Sequence, residues 1–293
     1  MNHIVVPPQK VYNPTMSMEQ TKRSAGFVDA HVHLDRPEGL DDVLTAGIAA
    51  VRIAGTRPGY GGGGCTDNER SRGVEIVSSC WALYKKGGYG SRFGVPVETT
   101  GEIRDEILRL KQAGADIIKI MASGLVSLKD PGTITPGGFS ADELMVIVQE
   151  AARLGLAVMA HANGETAIVA AVRAGVRSIE HGFFMTERAL AKMVEKNVFW
   201  VPTVGALIRA TENSRATAPV KEFIAGLVRQ HHQLLRKAYE SGVPLAVGTD
   251  CVLPAPRYLS AYESELSYFE LAGIPHDDVI RIAREGGAAL LGI

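Results

Sequence analysis

The feature that most narrows the fold is a repeated cadence in which an apolar helical stripe ends at a glycine and a β-rich run begins at once. It reads Ala113-Gly-Ala115, Leu154-Gly-Leu156 and Ala174-Gly-Val176. A glycine closing a helix takes the left-handed conformation that other residues avoid. A strand that follows each helix so closely belongs to a βα unit in a parallel sheet. The spacing predicts its best-defined helix over Ser140 to Leu154. Ser140 caps it, Glu143 completes a capping box, and Leu144, Ile147, Val148, Ala151 and Leu154 share one stripe before Gly155. Thr100 to Ala113 repeats the pattern with Ile103, Ile107 and Leu110 before Gly114.

Eight β-rich runs fit the cadence: Gly26 to Leu34, Ala49 to Ala54, Glu75 to Ala82, Asp116 to Ala122, Leu156 to Ala162, Val176 to Glu180, Val198 to Val204 and Pro244 to Thr249. A chain of 293 residues accommodates one α/β barrel of roughly 250 residues. The expectation is therefore an α/β fold, a (β/α)8 TIM barrel over residues 26–293 as a single domain. An irregular arm over residues 1–25, marked by Pro7, Pro8 and Pro14, precedes it.

Composition removes several functions. Lys+Arg 31 against Asp+Glu 32 gives a net charge of -1, which does not point to nucleic acid or an acidic membrane surface as a partner. No apolar run approaches the ~20 residues of a membrane span, and Met1 to Lys10 lacks the pattern of a secretory leader. Cys65, Cys80 and Cys251 cannot all pair and are widely spaced, so free thiols in a reducing compartment, the cytoplasm, are expected.

In such a barrel the chemistry lies at the C-terminal ends of the strands. There the first run carries Asp-Ala-His31-Val-His33, the fourth Ile-Lys119-Ile, the fifth His161, the sixth Glu180-His181 and the eighth Thr249-Asp250. His31 and His33 stand two apart and share the inner face. A lone histidine at a strand end is usually a hydrogen-bonded core residue. Four, joined by an aspartate at the same end, point to a divalent metal. Lys119, pointing away from Ile118 and Ile120, would be costly as an isolated charge inside the barrel. It is either paired with Asp250 or Glu180, or converted to an anionic carbamate.

The segments Phe27-Val-Asp-Ala-His-Val-His33, Ile118-Lys-Ile-Met-Ala-Ser-Gly124, Ala160-His-Ala-Asn-Gly164, Ser178-Ile-Glu-His-Gly182 and Val247-Gly-Thr-Asp250 resemble the amidohydrolase superfamily from Gly26 to Ile293. The middle portion is similar to the branch of imidazolonepropionase-like proteins and Xaa-Pro or Xaa-Arg dipeptidases. The resemblance implies His31 and His33 on a buried metal, His161 and His181 on a more exposed one, and a carboxylated Lys119 bridging both. Asp250 would bind the first ion and shuttle protons. It further implies a hydroxide bridging two divalent ions, zinc by donor type with manganese, iron, nickel and cobalt open, attacking the amide-type C–N bond of a small-molecule substrate.

Lys119 disfavours the single-metal deaminases, while lactone or phosphotriester hydrolysis and a silent metal-binding barrel remain as alternatives. Tyr89 falls where related dipeptidases carry a substrate-contacting histidine. Arg57, Arg257 and Tyr258 are further substrate-binding candidates. The Gly59 to Gly64 loop reads as a mouth loop or lid, Cys251 as packing, and His3, His231, His232 and His276 as surface residues, with His276 starting a helix. Glu180 is expected to point away from His181 into barrel–helix packing or a salt bridge, and Glu265 to be structural at least as readily as catalytic. The superfamily's usual β-sandwich does not fit the short flanks, which leaves surface to cover and room for a homo-oligomer.

Overall fold

A computed structural model describes residues 26–56, 65, 73–212 and 216–293. The arm, Arg57 and the Gly59 to Gly64 loop lie outside the described residues.

The elements run β1 (Phe27–Leu34), α1 (Gly39–Thr45), β2 (Ile48–Ile53), β3 (Glu75–Ser78), β4 (Ala82–Lys85), β5 (Gly94–Val97), α2 (Thr100–Gln112) and β6 (Ile117–Met121). They continue with α3 (Ala141–Arg153), β7 (Ala157–Ala162), α4 (Glu165–Ala174), β8 (Ser178–His181), α5 (Glu187–Lys196), β9 (Phe199–Val201), α6 (Val204–Glu212) and α7 (Ala218–Ser241). Last come β10 (Cys251–Leu253), α8 (Tyr258–Leu271), α9 (His276–Arg281) and, after a π-helical turn, α10 (Gly287–Leu291). All strand pairs are parallel, in the orders β10-β1-β2-β3 and β5-β4-β6-β7-β8-β9.

The expected cadence is present. Helices α2 and α3 begin with complete capping boxes at Thr99–Glu102 and Ser140–Glu143. Gly114, Gly155 and Gly175 all have positive φ. The inward stripes Ile103, Ile107, Leu110 and Leu144, Ile147, Ala151 are fully buried. At ~1.5–3 kcal/mol for each large side chain removed from water, they fasten the helices to the sheets.

Four expectations are corrected. The third run splits: Cys80 has φ 56°, which interrupts extended backbone and sends β3 and β4 to different sheets. The seventh run stops at Val201, because Pro202 lacks an N–H and Thr203 has φ 45°, and helix α6 starts at Val204. The eighth run, Pro244 to Thr249, forms a single bridge at Leu245 rather than a ladder. It is held by Trp200 N–H to the Pro244 carbonyl (2.9 Å), Ala246 N–H to the Trp200 carbonyl (3.1 Å) and Ala30 N–H to the Val247 carbonyl (2.8 Å). Gly248 is squeezed there, since a Cβ would lie 2.8 Å from the His31 Cβ. Regular pairing resumes only at β10. Finally, Cys65 and Cys80 are not free thiols but a disulfide, with Cα atoms 5.8 Å apart, and Cys251 alone is free.

His231 is also not a surface residue. The apolar stripe of α7 runs Ile224, Leu227, His231, Leu235, Ala238 at helical spacing, which buries the imidazole to 1% exposure. It stacks on Phe183 with ring centroids 4.5 Å apart and meets Trp200 edge-on. His232 is half-buried beside Tyr268, whereas His276 is exposed and starts α9 as expected. No helix among the described residues is long and apolar enough to cross a membrane.

Candidate metal centre

Strand β1 sets the register of the site. The buried carboxylate of Asp29 accepts hydrogen bonds from the N–H of His31 (3.1 Å), from the N–H and hydroxyl of Thr249 (3.0 and 2.7 Å) and from the hydroxyl of Tyr258 (3.0 Å). The Asp250 N–H donates to the His31 carbonyl at 2.7 Å. These bonds fasten the turn that carries Asp250, with φ 54°, against the strand that carries the two histidines. Burial pushes the Asp29 carboxyl up to about 6, while its four hydrogen bonds pull the other way.

Asp250 is the point of convergence. Its Oδ1 lies 3.4 Å from His31 Nε2 and 3.2 Å from His33 Nε2, and its Oδ2 lies 4.0 Å from His181 Nδ1. One ligand atom each from His31, His181 and Asp250 lie within 4.8 Å of one another, close enough for one ion. The rings form a continuous chain: His33 to His31 at 5.5 Å, His31 to His181 at 5.2 Å, His181 to His161 at 4.5 Å and His161 to Tyr89 at 5.2 Å.

Each histidine has one ring nitrogen held by a protein oxygen. His31 Nδ1 meets Glu180 Oε2 at 2.7 Å and His33 Nδ1 the Gly55 carbonyl at 2.9 Å. His161 Nε2 meets the Gly124 carbonyl at 3.0 Å and His181 Nδ1 the Thr203 hydroxyl at 2.6 Å. That leaves one nitrogen per ring for the interior, and His31 Nε2 is buried there without a hydrogen bond. This second contact is how proteins orient metal-ligating imidazoles. Burial, reinforced by Lys119, depresses His31 to about 4 and His161 to about 3. Burial and His161 hold His181 well below its ordinary value. All three are therefore neutral, the form that offers a lone pair. Burial alone would raise the Asp250 carboxyl, but His31, His33 and His181 outweigh it and hold the group well below the carboxylate range.

Lys119 is 1% exposed on β6 between the buried Ile118 and Ile120. Among the described residues it forms no ion pair within 4.0 Å, so the expected pairing alternatives with Asp250 or Glu180 are not made. Burial lowers its ammonium to about 8, although Glu180 and Asp250 favour the charge. Glu180 does form the expected salt bridge, with Arg52 at 2.9 Å, but inside the sheets rather than behind them. The alternation that placed it opposite His181 fails because His181, with φ 66°, ends the extended backbone.

The other candidates lie at different depths. Tyr89 is half-buried against His161, and burial together with the Asp250 charge pushes its phenol up. Tyr258 is buried and committed to Asp29, while Arg257 is exposed at the start of α8. Glu265 is fully buried and accepts the N–H groups of Val204 (3.1 Å) and Gly205 (2.6 Å), so it caps helix α6. Cys251 is buried, and burial raises its thiol to about 11, in keeping with a packing role. Sequence reasoning did not single out Asp29, Arg52, Thr203 or Asn163, whose amide bridges His161, Gly124 and Phe183. Two of them carried a signal, since Asp29 stands two residues before His31 and Arg52 is a lone charge in the apolar β2.

The chain is 29% identical over 303 residues to ochratoxinase of Aspergillus niger, covering 86% of this chain and 63% of that protein. It thus spans less than two-thirds of the relative's length. A dihydroorotase of Brevibacillus brevis is 29% identical over 163 residues, 54% of this chain and 35% of that protein. The crystal structure of the A. niger ochratoxinase superposes with a TM-score of 0.75 at 25% identity, over 91% of this chain and 71% of that one. A Xaa-Pro dipeptidase with bound methionine in its active site shares the fold with a TM-score of 0.77 at 24% identity, over 92% and 75% of the two chains. The model of the amidohydrolase family matches residues 24–293, every element that supplies the four histidines, Lys119 and Asp250, and the chain belongs to that family.

Proposed function

We propose that this protein is a binuclear metal-dependent hydrolase that cleaves an amide-type C–N bond of a small substrate, with residues 26–293 forming a closed (β/α)8 barrel. The observation that carries this reading is the one-sided tethering of all four histidines around Asp250, with Lys119 buried among them and, among the described residues, in no ion pair within 4.0 Å.

The donor set fits divalent cations. His31 Nε2 is buried without a hydrogen bond, and a cation supplies its missing partner. His31, His33 and Asp250 would hold one ion and His161 and His181 the other, with a carboxylated Lys119 between them. Imidazole, carboxylate and carbamate donors suit zinc, and manganese, iron, nickel and cobalt accept the same set. When bound, two such ions supply Lewis acidity toward the substrate carbonyl and a water that ionises near neutral pH.

The chain's own groups do the rest. Asp250, held ionised, accepts the proton of the attacking water at a carboxylate oxygen and delivers it to the departing nitrogen. The Glu180 carboxylate keeps the proton of neutral His31 on Nδ1, and the Thr203 hydroxyl orients the His181 ring. His31, His33, Lys119, His161 and His181 are all buried, which strengthens every charge interaction there. The hydrolysis of N-acyl amino acids, dipeptides, cyclic ureides and lactones, alongside metal analysis of the loaded protein, tests this. Turnover of the C–N substrates with two ions per chain is expected. A single tightly held ion, an unmodified Lys119, or turnover of lactones alone would overturn it.

A further inference from the structure

Helix α6 reaches the site at two places. Thr203, the residue before it, holds His181 Nδ1 at 2.6 Å. Further along the helix, Arg209 donates from Nη2 to the carbonyl oxygen of Thr249, the residue before Asp250. The helix is itself anchored at its first turn, where Glu265 of α8 accepts the N–H groups of Val204 and Gly205. Gly205, one turn before Arg209, leaves the guanidinium its room. A Cβ there would stand 2.7 Å from Arg209 Nη1 and 2.7 Å from Glu265 Oε1.

The Thr249–Asp250 peptide is held at both ends. Its N–H donates to the His31 carbonyl at 2.7 Å, and its carbonyl receives Arg209. Two opposed contacts fix the rotation of a peptide plane, and that rotation sets the φ of Asp250. The value is 54°, left-handed backbone that a non-glycine residue keeps only where its surroundings hold it. Relaxation to negative φ would swing Cβ, and with it the carboxylate, off His31, His33 and His181. The bonds from Asp29 fall on the Thr249 N–H, one peptide earlier, and on the Thr249 hydroxyl, so they leave this rotation free. The bond from Arg209 is charge-assisted and about twice as strong as a neutral one, and it acts on the peptide that decides where the carboxylate points.

We propose that Arg209 is a positioning residue, which holds Asp250 in left-handed backbone and so keeps its carboxylate aimed at the histidines. The catalytic consequence rests on the amide-hydrolase reading of the site, with Asp250 as its proton carrier. The hold on the peptide does not, and the two are measured separately. Arg209 touches neither the histidines nor the Asp250 side chain in this role; it acts through the Thr249 carbonyl alone.

Hydrogen exchange of the Asp250 N–H, followed by NMR on protein carrying nitrogen-15 aspartate, reads the peptide directly in wild type, Arg209→Met, Arg209→Ala and Arg209→Lys. The Asp116 N–H, bonded to the Ser78 carbonyl at 2.8 Å, is the control in the same spectrum. Loss of a charge-assisted bond predicts exchange at Asp250 about 10- to 100-fold faster in Arg209→Met and Arg209→Ala. Exchange at Asp116 should stay as in wild type, and Arg209→Lys should recover part of the protection. On an amide that the wild type hydrolyses, kcat should fall about 10- to 100-fold with KM little changed, and Arg209→Lys should again recover part. Unchanged exchange at Asp250, or an unaltered kcat, overturns the proposal. Exchange that rises equally at Asp116, or failure of both Arg209→Met and Arg209→Ala to fold, also overturns it, because Arg209 then supports the whole fold. If exchange responds as expected but the wild type hydrolyses no amide, the hold on Asp250 stands and the amide-hydrolase reading fails.

Discussion

His31 Nδ1 lies 2.7 Å from Glu180 Oε2, and the same carboxylate is gripped by Arg52 at 2.9 Å and by the Ser178 hydroxyl. A negative group on Nδ1 fixes the tautomer and raises the basicity of Nε2, the atom turned toward Asp250. Burial works against the Glu180 charge, yet Arg52 and His31 hold its carboxyl down at about 2. Glu180→Gln should therefore weaken metal binding by about 10- to 100-fold, read by competition with a chelator. Unchanged affinity would mean that the contact does not serve the metal. Arg52→Leu should cost more in folding, about 3–5 kcal/mol by denaturant melts, because it strands a buried carboxylate.

On the proposed reading, a substitution at Asp250 separates proton transfer from metal binding. Asp250→Asn preserves the size and the left-handed backbone preference of the residue but removes its basicity. A fall in kcat of about 10²- to 10⁴-fold is expected with two metals still retained. Wild-type turnover in this variant would falsify the proton-shuttle role.

Glu265 gives the fold a pH dependence of its own. Burial raises its carboxyl to about 8, against the opposing pull of Arg209 and the two backbone N–H groups. The folded state keeps the proton up to that value, whereas the unfolded chain releases it near 4.5. Folding thus takes up a proton between these limits, and this group's contribution to stability declines as pH rises from about 4.5 to about 8. Thermal melts of wild type and Glu265→Gln across that range should show a steeper decline in the wild type. Parallel curves would argue against the assignment.

The disulfide makes a prediction that thiol counting settles. Unfolded without reductant, the protein should titrate one thiol, Cys251, and with reductant three. The bond closes a loop of 15 residues, for which chain entropy alone gives about 3 kcal/mol. Cys65→Ala should lower the melting temperature accordingly, and an equal melting temperature would show that the cross-link adds nothing.

What could be read from the sequence was whatever repeats or clusters by chemical necessity. The Gly114, Gly155 and Gly175 cadence announced parallel βα units because a helix end beside a returning strand needs a left-handed residue. His31, His33, His161, His181 and Asp250 were legible together because groups that serve one centre collect at one end of the strands, and the structure brings their side chains together. Departures from ideal geometry were hidden. Glu180 was assigned the wrong face because nothing marks His181 as the residue where extended backbone stops. The Pro244 to Thr249 run has strand composition, but its pairing is governed by the room left beside His31, which is a tertiary quantity. His231 reads as polar, yet its place on the apolar stripe of α7 decided its burial. Cys65 and Cys80 carry no local sign that their chain segments meet.

His181, Thr203 and Asp250 all sit in left-handed backbone, at φ 66°, 45° and 54°, a conformation that costs non-glycine residues about 1–3 kcal/mol each. The fold is therefore least content where it is most useful. A laboratory population selected for heat resistance alone should accumulate glycine or asparagine at these positions and end as a sturdier fold without the proposed activity. Preserving the proposed activity under such selection requires screening for turnover in every round.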